Sequence, residues 1–265
     1  MVQYYKLDKI FVQGTTYQMP NDRFYVIKKI GTDATSDTKL VIDGVETGEI
    51  INTIAPLHKT SSNLLGPLDL GDLYYVVPPN KTFEIDGPSG AKVRCIGLIG
   101  VLAPGEALPA NYASRFTDQG KHYKTYITDS YSVSGSGTWS AGTSYEVLSL
   151  TPKTIETYKF NDFCGASVSG FTETEGDVGI IFKLDGKPLD ILTTEPGKKG
   201  IDVLSMPLPP ADSTEKIPFT FKDYPIEVLG DHTLTIEAMN VSGADISFTD
   251  LSITVTAIVE YLMKG

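Results

Sequence analysis

Side chains that carry chemistry are scarce in this chain of 265 residues, which has two cysteines, Cys95 and Cys164, and three histidines, His58, His122 and His232. None of the histidines lies at metal-ligand spacing from another histidine or a cysteine, so the pattern offers no zinc site. His58, His122 and His232 read as loop or turn residues. The two cysteines fall in predicted strands of different halves and read as small buried thiols rather than as a disulfide. A Gly-x-Ser-x-Gly elbow, a phosphate-binding glycine loop and a dinucleotide fingerprint are all missing. Ser134-Gly135-Ser136-Gly137 reads as a flexible tip. No catalytic, cofactor-binding or metal-binding residue is assigned, and the expectation is a protein that is not an enzyme.

Basic clusters are lacking too. The net charge is −11 with a pI near 4.7, and no segment gathers more than two or three basic residues. A protein that binds nucleic acid gains much of its affinity by neutralising phosphates, so direct DNA or RNA binding is not expected. Long hydrophobic runs are absent: the longest, Cys95–Ala103, is about half a membrane span and is broken by Gly97 and Gly100. The start, Met1 to Asp8, has no basic stretch followed by an apolar run. The expectation is a soluble chain made in the cytoplasm.

What the chain does have is the composition of a folded globular protein, with 41% hydrophobic, 10% aromatic and 21% charged residues. Strands are predicted at Lys9–Gln13, Phe24–Ile30, Thr38–Ile42, Gly48–Ile54, Leu73–Val77, Lys81–Ile85 and Lys92–Leu102. In the second half they are predicted at Thr154–Phe160, Gly165–Phe171, Gly179–Leu184, Leu189–Thr193, Ile201–Pro207, Lys216–Phe221, Pro225–Val228, Thr233–Met239 and Ile246–Tyr261. Short strands at intervals of about ten residues with Pro, Gly, Asn and Asp between them mark a sandwich or jelly roll.

The two halves also repeat each other. Lys39 to Ile50 holds the hairpin signal Ile42-Asp43-Gly44, and Ile181 to Ile191 holds Leu184-Asp185-Gly186. Pro20-Asn21-Asp22 precedes one strand as Phe160-Asn161-Asp162 precedes another, at the same offset of roughly 140 residues. The fold class expected is all-β: two tandem jelly-roll β-sandwiches, a double jelly roll. Residues 1–105 form the first, 106–144 a connection that carries a long exposed loop and up to one or two strands, and 145–265 the second.

Carboxylates at Asp69/Asp72 and Glu173/Glu175/Asp177 gather the oxygen donors a calcium ion takes, but their turn-like setting favours solvated loops over a structural calcium site. The sequons at Asn80 and Asn240 matter only in a secreted protein. The tyrosines read as sandwich core and interface.

Two tandem sandwiches, the Ile42-Asp43-Gly44 and Leu184-Asp185-Gly186 hairpins and the terminal Ile258-Val259-Glu260-Tyr261 together resemble the double jelly-roll major capsid proteins of tailless icosahedral viruses with an internal membrane. The length is close to that of the smallest of these, the corticovirus type, with the tectivirus type as kin. The resemblance implies a viral structural protein whose trimers have a pseudo-sixfold outline and tile an icosahedral shell. Its implied partners are copies of itself, a vertex protein and other virion proteins, and the internal viral membrane. Its implied location is the virion after synthesis in the host cytoplasm. The chain departs from the pattern in lacking a long N-terminal arm and a C-terminal membrane anchor. Glu106–Gly142 and Met206–Asp212 are expected to supply inter-subunit or outward-facing surface. The alternatives are an accessory virion protein (a vertex, turret or fibre subunit) and a carbohydrate-binding or adhesion module. An enzyme on the same fold ranks after them.

Overall fold

The computed structural model describes residues 1–59, 65–189, 192, 200–208 and 219–264. It divides into two compact units, Met1–Thr125 and Tyr126–Gly265. Each holds two antiparallel sheets.

The first unit contains β1 (Gln3–Val12), β2 (Tyr17–Gln18), β3 (Arg23–Thr32), β4 (Lys39–Ile42), β5 (Val45–Glu46), β6 (Leu68–Asp69), β7 (Tyr75–Val77), β8 (Thr82–Asp86) and β9 (Lys92–Val101). One sheet runs β1-β9-β3, with β6 and β7 on the far side of β3, and the other runs β2-β8-β4-β5. The pairing is nested, since β1 pairs with β9, β2 with β8, β3 with β7, and β4 with β5. A long antiparallel ribbon has therefore been folded over itself, which is the jelly-roll topology.

After helix α1 (Ala110–Asp118), the remaining strands are β10 (His122–Trp139), β11 (Ser144–Leu150), β12 (Glu156–Phe160), β13 (Cys164–Ser169), β14 (Val178–Leu184), β15 (Lys187–Pro188), β16 (Ile201–Asp202), β17 (Ile226–Leu229), β18 (Leu234–Asn240) and β19 (Ile246–Met263). The nesting recurs: β10 lies beside β19, β11 beside β18, β12 beside β17 and β14 beside β15. The chain is a double jelly roll.

At the tip of each ribbon stands the Asp-Gly turn. Asp43 and Gly44 have φ of 52° and 78°, and Asp185 and Gly186 have φ of 50° and 75°. Two successive residues with positive φ make the type I′ turn, whose twist matches that of the flanking strands. Each turn is held in the same way, with the Asp43 N–H donating to Thr82 O at 2.8 Å and the Asp185 N–H donating to Thr233 O at 2.9 Å.

Alternating apolar residues build each core. In the first unit Leu7, Phe11, Ile27, Leu40, Ile42, Phe83 and Val93 are buried. Phe83 meets Phe11 edge-on at 4.8 Å and stacks on Tyr17 at 5.2 Å. The second core gathers Trp139, Phe160, Phe182, Phe221, Ile236, Ile253, Val255 and Val259. Burial at about 25 cal/mol per Å² is the main force closing each sandwich.

Several expectations need correction. Gly48–Ile54 is not a strand; it makes only an isolated bridge through Ile50 to Thr38. A side chain at Gly48 would run into the Lys124 carbonyl, so the backbone packs closely there instead of pairing. In Leu73–Val77 the strand starts at Tyr75, after a 3₁₀ turn at Gly71–Leu73. Residues 106–144 are mostly regular, with α1, β10 and the first residue of β11. Ser134-Gly135-Ser136-Gly137 belongs to β10 and is no loose tip, because the Gly135 N–H donates to Asp250 Oδ1 at 2.7 Å. Ile201–Pro207 is a two-residue strand followed by a 3₁₀ turn. Most of Leu189–Thr193, residues 216–218 of the Lys216–Phe221 strand, and residues 209–212 of Met206–Asp212 lie outside the described residues.

Candidate functional site

The scarce reactive groups stay apart. Cys95 and Cys164 are free and fully buried, each in its own unit, and burial pushes both thiols far up from their ordinary value. His58 Nδ1 lies 2.7 Å from Arg94 Nη1. His122 opens β10 instead of sitting in a loop, and its carbonyl accepts from Arg115. His232 Nδ1 lies 2.7 Å from Asp185 Oδ2, in the turn between β17 and β18. Among the described residues no three histidines, cysteines or carboxylates converge as metal ligands would.

Two of the carboxylates considered for calcium, Asp69 and Asp177, are engaged locally. Asp69 pairs with Lys29 at 3.0 Å and accepts from the Gly71 N–H. Asp177 accepts from the N–H and hydroxyl of Thr174 at 2.7 and 2.8 Å. Of the two sequon asparagines, Asn240 is fully buried and donates to the carbonyls of Trp139 and Ala244. That leaves surfaces as the candidate functional features.

The outer faces of the two long sheets differ sharply. In the first unit Phe24 and Val26 are buried beneath Leu108 and Tyr112. Helix α1 is fixed there by two side chains that sequence reasoning passed over. Arg115 donates to the carbonyls of Tyr74, Leu73 and His122, and Gln119 accepts from the Val76 N–H while donating to the Val76 carbonyl. Gln119 thus occupies the outer edge of β7 as a neighbouring strand would. Burial lowers the Arg115 pKa, and it raises the nearby Tyr75 phenol to about 12.

In the second unit the corresponding face carries hydroxyls. Thr128 meets Thr256 at 2.8 Å, Ser130 meets Thr254 at 2.8 Å, Ser132 meets Ser252 at 3.4 Å and Ser136 meets Thr249 at 3.3 Å. The signal available in the sequence was Thr128, Ser130, Ser132 and Ser134 at alternate positions. An open groove of about 470 Å³ lies at the end of this ladder, lined by Ser136, Thr138, Ser247 and Phe248. The hydroxyls of this ladder bond to one another across β10 and β19.

Charge at the two ribbon tips follows one plan. Asp43 pairs with Lys81 and Asp185 with His232, both at 2.7 Å; Lys81 immediately precedes β8 and His232 lies two residues before β18. The His232 hydrogen bond, followed by the Thr233 N–H, lowers the Asp185 pKa. A hydrogen bond from Arg94 does the same to Asp8, and one from the Ala103 N–H to Glu106. A carboxylate depressed in the folded state contributes stability above its unfolded pKa and loses it as pH falls through the folded value. The melting temperature is therefore expected to hold from neutrality to about pH 5 and to fall through about pH 4 and below. Calorimetry against pH checks this.

No family model matches the sequence, and no curated protein matches it. Among solved structures it is similar to the major capsid protein P2 from Bacteriophage PM2, with 13% identity, a TM-score of 0.34, and coverage of 99% of this chain and 97% of that one. It is also similar to a PBCV-1 virus capsid chain, at 11% identity and a TM-score of 0.34, covering 99% of this chain and 95% of that one. A third is a chain of the Sputnik virophage, at 9% identity and a TM-score of 0.31, covering 98% of this chain and 85% of that one.

Proposed function

We propose that this chain is a non-enzymatic viral structural protein, a major capsid protein whose trimers tile an icosahedral shell. The observation that carries the reading is the duplication: one chain holds two jelly rolls with the same nested strand order, each tipped by the same Asp-Gly turn. Three such chains around a threefold axis present six similar units, so near-equivalent contacts repeat around each building block. An acidic chain with no basic cluster suits a shell that does not touch the genome directly. Its location would be the virion, and its partners copies of itself, a vertex protein and the internal membrane.

Static light scattering of the purified chain is the test. The smallest stable species is expected to have three times the 28.7 kDa mass of one chain. A single species of one chain at every concentration would count against the reading.

A further inference from the structure

One edge of the first unit is long, carries exposed apolar side chains and, among the described residues, is unpaired. Strand β1 ends its sheet, bordered on one side by β9 alone. Met1, Tyr4, Tyr5, Ile10 and Val12 are five of the nine large apolar side chains exposed among the described residues. Such an edge is a template for a further strand.

The hydrogen bonds show which backbone groups it offers. The Gln13 N–H donates to Ala91 O across the β1–β9 pair, while the Val12 N–H points away from β9 and donates to the Tyr17 hydroxyl at 2.9 Å. Antiparallel pairing alternates, so the odd residues of β1 bond to β9 and the even ones face the free edge. Tyr17 closes that edge at Val12. The groups left are those of Tyr4, Lys6, Asp8 and Ile10, a window centred on Leu7.

We infer that this window pairs, antiparallel and about a two-fold axis at Leu7, with β1 of a second copy of the chain. In that register Lys6 stands opposite the second copy's Asp8, and Tyr4 opposite its Ile10. Each of the four pairs exchanges two hydrogen bonds, as opposed residues of an antiparallel ladder do. On the other face Tyr5 stands opposite Lys9. Asp8 is already held on both oxygens by Arg94 and lies 3.6 Å from Lys6 of its own strand, so the second copy's Lys6 adds a further cation beside it and does not replace a missing one. With the Tyr4–Ile10 pairs this makes the window complementary to itself, which selects a second copy over an unrelated strand. The inference goes beyond the proposed shell and stands on β1 alone; within such a shell the contact would join neighbouring trimers.

Lys6→Pro tests it. The Lys6 N–H faces the free edge, where proline is tolerated, so the fold should survive while the ladder is blocked. Sedimentation velocity over a wide concentration range should show the wild-type building block, whether one chain or three, associating further through two-fold contacts. The variant should stop at that building block with an unchanged melting temperature. Lys6→Glu, which sets like charges opposite each other twice, should raise the dissociation constant about tenfold and decides the matter should the proline variant not fold. Hydrogen exchange should show the amides of Tyr4, Lys6, Asp8 and Ile10 gaining protection on association. Wild type that never associates beyond its building block, or association unchanged in the folded variants, would overturn the inference. A trimer without further association would sink this contact and leave the proposed function standing.

Discussion

Gly97→Val is expected to unfold the first unit. Gly97 lies in β9, the strand flanked by β1 and β3, and pairs with both Leu7 and Ile27. A side chain there would run into the Val26 carbonyl, an atom of the neighbouring strand that no rotamer change can move. Relief requires β9 and β3 to separate, which breaks the ladder through the middle of the sheet. A cost of about 4 kcal/mol or more is expected, a large share of a domain's total stability. Limited proteolysis should then cut within residues 1–125. The emission of Trp139, the one tryptophan, reports the second core, in which it is buried. A native-like proteolytic pattern for residues 1–125 would show that the two strands are not held as closely as described.

Trp139→Ala should destabilise the second unit by about 3–5 kcal/mol. The indole is fully buried, lies 5.1 Å from the Tyr145 ring, and donates from Nε1 to Thr143 O at 3.0 Å. Truncation leaves a cavity the size of the indole and a carbonyl without its donor. The measurement is urea unfolding followed by circular dichroism. A midpoint within experimental scatter of the wild type would contradict the core position given to this residue.

The ribbon tips were legible because a type I′ turn is a local matter: Asp43-Gly44 and Asp185-Gly186 need no tertiary partner to be favoured. Recurrence of that turn pointed to the duplication, and the nested strand order has the same turn at the same place in both units. The strands β18 and β19 were legible by alternation, at Thr233–Ala238 and Leu251–Ala257. The full extent of β10 was not, because its inward residues Ile127, Tyr131 and Val133 are interleaved with serines and glycines that mimic a loop. What makes it a strand is the ladder of hydroxyls it shares with β19. Helix α1 was missed for a related reason. It is short, and it is anchored by Arg115 and Gln119, residue types normally found on the outside. The free edge of β1 could not be seen from residues alone either, since a strand at an edge differs from one inside only in what lies beside it.

The most direct test of the central claim is the shape of the assembled particle. Averaged electron-microscope images of the purified chain should resolve a threefold object with six similar lobes, two from each copy. Images showing isolated chains, or a ring whose lobes do not come in pairs, would contradict it.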